Sequence, residues 1–575
     1  MTQIFAASTL YGAMTVAAAI DAGQFGGDEH ERILLVCNNV DIPEVSTPLH
    51  LMPGAESIRQ RFTKVAYWNS LISPYHPAMW APRDEDLSLW RRMLGGRLGV
   101  APGPLQLIVE SIQVKPAQTL CKIFQDASVT VYADGVMSYG PTRNDLHRDI
   151  HSRISEVLYL DLVPGLEPML LTEYQVPSRP VDSSAVWSLM AEVTQECVPQ
   201  IEQAIPEHLR ERGPETAVLL GQYLSSLGIL TEEEEENLHL RMFESAVGLG
   251  FRTVIFKPHP SAPDSLAATL AQAAREAGVE FLVLDVPVLA ETVFHYLQPR
   301  LVIGCFSTGL FTAKAFYGIS VAQVGAREII RRMRPYENSN RIPVTITHAL
   351  LSDLESPGGY AEDRIMDLGH VRSELSPYVA TVGFCMQPKR YAFLRGVAED
   401  YVAGAVPQWD SRPELGMHFN PRVREKLSLP GPPLPAAKKE RGGKRKPEPA
   451  APVWDVSVSG FSSLLESGDD DGALEVGEKL LTEQESVDVL VGMAQIYVRR
   501  RQLADAESCL VDAMAAAEGN ERALVWIRIA ETAELMGRKG KDLRRSAARQ
   551  ALKFNPNSAA AARLSRSNPR RRRRG

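Results

Sequence analysis

No run in the 575-residue chain reaches the roughly 18 to 20 consecutive apolar residues that a membrane span requires, so contact with a bilayer is expected only at its surface. Cysteine is scarce and scattered. The six residues Cys37, Cys121, Cys197, Cys305, Cys385 and Cys509 form no CxxC pair and have no histidine at zinc-ligand spacing. That excludes a disulfide framework and a zinc knuckle and suits a reducing compartment. Positive charge is not in excess either: the formal net charge is -8, which argues against a general nucleic-acid-binding surface, and no specific nucleic acid is expected as partner. The N-terminus lacks the basic region and cleavage site of a secretory signal, and Ser8, Thr9, Tyr11 and Gly12 interrupt its apolar stretch. It reads as a strand, a turn and a helix, and the expected location is the cytoplasm.

What is present is the composition of a globular protein, 45% hydrophobic and 23% charged, long enough for several folding units. Short β-branched runs at 3–7, 32–37, 64–68, 105–114 and 128–133 alternate with helical patterns, and a helix over 181–204 closes this first half. The alternation restarts at 216–223, 253–256, 280–284, 301–306 and 320–324. Strands alternating with helices imply parallel βαβ units. Two such halves in succession describe an α/β protein of two Rossmann-like domains in a GT-B arrangement, 1–205 on the acceptor side and 206–427 on the nucleotide-sugar side. Other paired Rossmann-like enzymes share the same pattern. Thr231 followed by Glu232–Glu236 reads as a capped, solvated helix start, as does Asp84-Glu85-Asp86, the one Asp-x-Asp-like triplet near an α/β core.

From 428 to 454 proline, glycine and lysine dominate, the signature of a flexible linker. The pattern over 455–563 is helical, with small residues at repeat-like distances: Ala473 and Ala506 are 33 apart, Leu480 and Ala513 likewise, and Ala494 and Ala530 are 36 apart. With Asn555-Pro556 closing a helix, this predicts an all-α module of TPR-like helix pairs that could bind a protein partner, a plain helical bundle being the alternative. Residues 564–575 form an arginine-rich tail ending in Arg570–Arg574, chemistry suited to peripheral contact with an anionic membrane at its inner face.

Three short signals fall at strand ends, where open α/β sheets place their ligands. Lys257-Pro258-His259-Pro260 holds a histidine between two prolines that fix the backbone and remove amide donors. Tyr132-Ala133-Asp134-Gly135 puts a carboxylate before a glycine turn. Gly304-Cys305-Phe306-Ser307-Thr308-Gly309 puts two hydroxyls at a helix start, where hydroxyls and free amides suit a phosphate. Singly, each is an ordinary structural feature.

Their order and spacing over roughly residues 1 to 410 resemble the bacterial sialyltransferases, and among them the alpha-2,8-polysialyltransferase family. Ala7-Ser8-Thr9-Leu10-Tyr11-Gly12-Ala13, Gly221-Gln222-Tyr223, and Pro287 with Glu291 agree with it. One departure is Ala133, where the family often has a first acid before the glycine; only Asp134 remains. The resemblance implies an inverting glycosyltransferase that moves sialic acid from a CMP-activated donor to a glycan hydroxyl, in surface or capsule polysaccharide synthesis, with no cofactor and no metal. It implies Asp134 as base and His259 as acid or phosphate stabiliser. Gln222, Lys257, Pro260, Glu291, Ser307 and Thr308 would face the donor, and Ser8, Thr9 and Tyr11 the acceptor. The rival readings are another CMP- or CDP-donor transferase, of Kdo or glycerophosphate type, and a non-catalytic scaffold built on the helical module.

Overall fold

The computed structural model describes residues 1–431 apart from 41, 44–45, 212, 260–264, 362–363, 406–416 and 420. Beyond these it describes 457–467, 469–483, 486–499, and positions 509–510, 513, 522, 525–527, 529–530 and 547–551. The chain divides into two compact units, Met1–Ala437 and Lys438–Gly575.

The first unit contains two parallel sheets. One is built from β1 (Thr2–Ala7), β2 (Glu31–Val36), β3 (Lys64–Tyr67), β4 (Leu105–Val109), β5 (Ser128–Ala133), β6 (Ile154–Tyr159) and β7 (Ser178–Pro180), in the order β3-β2-β1-β4-β5-β6-β7. The other is built from β8 (Ala217–Leu220), β9 (Thr253–Lys257), β10 (Glu280–Val283), β11 (Leu301–Gly304), β12 (Ser320–Gln323) and β13 (Ser352–Asp353), in the order β10-β9-β8-β11-β12-β13. The central strands β1, β8 and β11 are buried on both faces, which is why their sequences read as unbroken apolar runs.

Chain order reverses between β1 and β4 in one sheet and between β8 and β11 in the other. Those are the two points where such sheets open a crevice at their carboxyl ends. Residues 8, 110, 221–222 and 305–308 therefore fall at the two crevices.

The sequence pattern supplies ten of these strands. Those it lacks, β6, β7 and β13, are edge-ward, short or polar: β7 has three residues and ends in Pro180, tolerated where no neighbour needs its amide. The run expected to stay extended over 105–114 stops at Val109, and the chain turns at Ser111, whose φ is 46°.

The helix expected over 181–204 is Ser183–Ala204, capped by Asp182, whose Oδ1 accepts from the amides of Ser184 (2.8 Å) and Ala185 (3.2 Å). Val186, Leu189, Met190, Val193, Cys197 and Ile201 recur at helical spacing and are buried. This helix packs on Leu10–Asp21 of the first half and on Ala290–Leu297 of the second, and so spans both. A second tie follows the second sheet: Arg390 Nη1 donates to the carbonyls of Thr142 and Arg143, each at 2.7 Å, and the Tyr391 hydroxyl lies 2.8 Å from Met169 O. Packed structure runs past residue 427, for Leu429 is buried in the core.

In the second unit the helices Val458–Ser467, Asp470–Glu483 and Val487–Arg499 share a small core around Phe461. Gly477 and Gly492 admit its ring, since a Cβ at either would lie within 3.0 Å of ring atoms. Ala473, Ala494, Ala513 and Ala530, picked out by their spacing, are all buried. Ala506, Asn555-Pro556, most of the linker and the tail lie outside the described residues. Among the described residues no helix is long and apolar enough to cross a membrane.

Candidate active site

Asp134 follows β5 directly and Gly135 opens the next turn with extended backbone (φ -146°, ψ 173°). A Cβ built on Gly135 would lie 2.8 Å from Thr308 Oγ1. The carboxyl end of the first sheet thus meets the first residue of the helix Thr308–Tyr317 that follows β11, and two of the three sequence signals touch.

The third signal sits beside them. Gly221, at the end of β8, lets the β9 end approach: a Cβ there would come 2.9 Å from the His259 amide nitrogen and 3.0 Å from Pro258 Cα. The His259 ring lies against Tyr223, ring centroids 4.1 Å apart. Burial, then the adjacent Lys257 ammonium, push its imidazole down to about 4, with Glu235 opposing. His259 is accordingly neutral at neutral pH in the free protein. Burial also lowers Lys257, to about 8, against the pull of Asp285 and Glu291; its Nζ donates to Val286 O at 2.9 Å. The fixed cation of this pair is Lys257. Pro260 lies outside the described residues.

Gln222 is buried and works as a strut. Its Oε1 accepts from the Phe306 amide at 3.1 Å, holding the turn before Ser307, and its backbone N–H donates to His239 Nε2 at 3.2 Å. Ser307 caps the following helix, accepting from Gly309 N at 3.2 Å, and Thr9 caps Leu10–Asp21, accepting from Gly12 N at 2.9 Å. Both hydroxyl residues therefore shape their turns. Ser8 gives its amide to Glu110 Oε1 at 2.9 Å.

Glu291, 7% exposed, accepts from Thr312 Oγ1 at 2.9 Å, and burial raises its carboxyl. Burial raises Asp134 too. Tyr11, whose buried hydroxyl has no hydrogen-bond partner among the described residues, is raised first by burial and then by the charges of Glu291 and Asp134. These three residues, two from the first half and one from the second, form one electrostatic cluster.

Two residues escaped the sequence reading. Glu235 belongs to the glutamate run expected to be solvated. Thr231 and Glu234 do form a reciprocal capping box, but Glu235 is 3% exposed and accepts from the amides of Leu224 (2.6 Å) and Ser225 (3.0 Å). One of five glutamates turns inward because the loop after β8 needs its amides satisfied. Glu110 was hidden inside the supposed strand over 105–114. It stands at the true end of β4, beside Asp134, and lines a cavity of about 370 Å³ with Ala6, Ser8, Cys37, Asn39 and Lys115. Burial, followed by the charge of Asp134, raises its carboxyl to about 7. Asp84-Glu85-Asp86 is, as expected, an exposed helix start, with Asp84 on Lys122 at 2.8 Å. Among the described residues no group of three or more His, Cys, Asp or Glu is arranged to hold a metal ion.

A model of the alpha-2,8-polysialyltransferase (POLYST) family matches residues 3–326, more than half of the chain and all three signals. The chain belongs to the alpha-2,8-polysialyltransferase family. It is a glycosyltransferase, and the matched span includes both switch points. No curated protein matches the chain. Among solved structures, a sialyltransferase from Photobacterium damselae, in the part described as its GT-B domain, is 12% identical. It covers 60% of this chain and 97% of that one, with a TM-score of 0.34. A UDP-N-acetylglucosamine 2-epimerase from Rickettsia bellii is also 12% identical, covering 70% and 98%, with a TM-score of 0.33.

Proposed function

We propose that this glycosyltransferase moves sialic acid, or a related sugar, from a CMP-activated donor to a hydroxyl of a glycan acceptor, with inversion. In this reading the two halves form a GT-B arrangement, 1–205 taking the acceptor and 206–427 the donor. The observation that carries it is the contact of Gly135 with Thr308, which leaves Asp134 and the phosphate-suited turn within one substrate's length of each other.

The bond from the donor's anomeric carbon to the phosphate oxygen breaks through an oxocarbenium-like state. The acceptor oxygen bonds to that carbon from the opposite face, and its proton passes to the Asp134 carboxylate. CMP leaves with the bonding electrons. Ser307, Thr308 and the free amides of their helix start receive the phosphate, Lys257 supplies the positive charge, and neutral His259 donates a hydrogen bond to the leaving oxygen. Gln222 holds the phosphate turn, Glu291 and Tyr11 line the cleft, and Ser8 and Thr9 shape its acceptor edge. No step is routed through a metal or cofactor. Surface or capsule polysaccharide made from the cytoplasmic side is the product class this suits. The helical module then serves as a TPR-like contact for a protein partner, and the arginine tail as a peripheral contact with anionic lipid.

The test is release of CMP from CMP-sialic acid by the purified protein, with and without an α2,8-linked sialic acid trimer as acceptor. Acceptor-dependent release supports the reading. Release of CMP only from CMP-Kdo, or turnover only of CDP-glycerol, transfers the assignment to the rival donor class.

A further inference from the structure

Glu110 stands at the carboxyl end of β4, where its two carboxyl oxygens have different partners. Oε1 accepts from the Ser8 amide at 2.9 Å. Oε2 lies 3.1 Å from the Tyr132 hydroxyl, which itself lies 3.0 Å from Ala6 O. Tyr132 has a single proton and two oxygens to give it to. Both contacts are satisfied together when Tyr132 donates to Ala6 O and Glu110 Oε2 carries a proton that it donates to the phenol. With Glu110 ionised, one of the two buried contacts sets two acceptors against each other.

We propose that Glu110 is a positioning residue that keeps its proton so that Asp134 can give up its own, making Asp134 the ionised member of a carboxyl pair at the ends of β4 and β5. This deepens the proposed function and rests on Asp134 being its base. Two neighbouring carboxyls in a water-poor site do not both ionise readily. Here the hydrogen bonds select which one stays neutral. The groups facing Glu110 are the Ser8 amide beyond β1, Cys37 beyond β2, Tyr132 on β5 and Asp134 beyond it, and Gly12 of the adjoining helix, where a Cβ would come 3.0 Å from Oε2. Lys115, on the same cavity, spends its ammonium on Met79 O at 3.0 Å. No cation is thus seen paired with Glu110 among its described neighbours. The cavity opens a route for exchange with water, and a carboxyl raised to about 7 by burial and by Asp134 fits a group that titrates within reach of an assay.

The test compares Glu110→Gln and Glu110→Ala with the parent protein. Glutamine is neutral at every pH, and its amide nitrogen can donate to Tyr132 as the acid does. Transfer by Glu110→Gln near pH 6 should stay within about threefold of the parent, while the inflexion of the pH profile near 7 disappears; Glu110→Ala should lose about tenfold or more at all pH values. A merely structural residue would leave that inflexion in place. A fall of about 100-fold in Glu110→Gln near pH 6, or an unchanged inflexion, overturns the proposal. Infrared spectra of the free protein give a reading that needs no turnover: a protonated carboxyl band near pH 6 that is missing in Glu110→Gln. The same band in both overturns the proposal even where the donor turns out to be another sugar nucleotide. Absence of CMP release from the parent, with that band difference present, counts against the donor assignment alone.

Discussion

Gly135 and Thr308 stand so close across the two halves that a single methyl on the glycine would press to 2.8 Å from the threonine hydroxyl oxygen. The backbone at Gly135, φ -146° and ψ 173°, is open to any residue, so an alanine there carries no conformational strain. Its whole effect comes from contact. Gly135→Ala should therefore fold with unchanged thermal stability in its isolated halves' cores yet lower transfer by about 10- to 100-fold, because it displaces the phosphate turn from Asp134. In a Thr308→Ala background the same change should cost little more, the two effects being non-additive where the residues touch. Additive losses would show that the contact does not control the geometry of the site.

Asp134→Asn keeps the shape of the side chain and removes its capacity to take a proton. Calorimetric titration with CMP should give affinity within about threefold of the parent, while initial rates of transfer fall by about 100-fold or more. On the proposed reading His259→Ala should lower turnover by a similar factor but weaken CMP as well, since the histidine follows Lys257 at the end of β9. Near-parental transfer by Asp134→Asn would reduce Asp134 to a turn residue and send the search for the base to Glu110.

How far these residues could be read from the sequence follows from what each one needs. β1, β8 and β11 are buried on both faces and announce themselves as apolar runs, so the α/β alternation was legible, while the strand order that places the switch points came only with the fold. Asp134, His259 and Ser307 follow such strands and are marked by glycine, proline or a helix cap. Glu110 had no such mark. Its strand was read five residues too far, because Ile112 and Val114 continue the β-branched pattern after the chain has turned at Ser111. Glu235 was lost for the opposite reason: four neighbouring glutamates made an inward-facing one look like part of a solvated helix start. Gln222 was expected to face the donor, and only the fold shows that its oxygen is committed to Phe306.

The end of the catalytic unit can be tested by truncation. Leu429 is buried, and Arg395 Nη1 donates to Leu427 O at 3.1 Å, so chain up to this point belongs to the core. Ending the protein after Ala437 should leave transfer to a small soluble acceptor near the full-length rate. Ending it after Leu427 should expose the pocket of Leu429 and cost about 1.5 to 3 kcal/mol of stability, read as a lower denaturant midpoint. Loss of transfer with retained CMP binding in the protein ending after Ala437 would make the helical unit part of the active enzyme.

Lys257 supplies the last prediction, a pH dependence whose sign follows from its position. Burial at the end of β9 holds it at about 8, far below an exposed lysine, while Asp285 and Glu291 restrain the fall. His259, pushed down to about 4, is already neutral at pH 7, so of this pair it is Lys257 whose charge changes between pH 7 and 9. CMP carries negative charge throughout that range and binds the ammonium form better. Affinity for CMP should thus fall as pH rises from 7 through about 8, by about tenfold once Lys257 is neutral, since the lost ion pair sits in a partly dehydrated cleft. Lys257→Met should show the weak affinity at every pH and no dependence across the window. His259→Ala leaves the lysine, its burial and its neighbours Asp285 and Glu291 in place, so the fall should persist in that variant. A CMP affinity that stays flat through pH 9 in the parent would mean that Lys257 does not face the phosphate, and that its bond to Val286 O is its whole role.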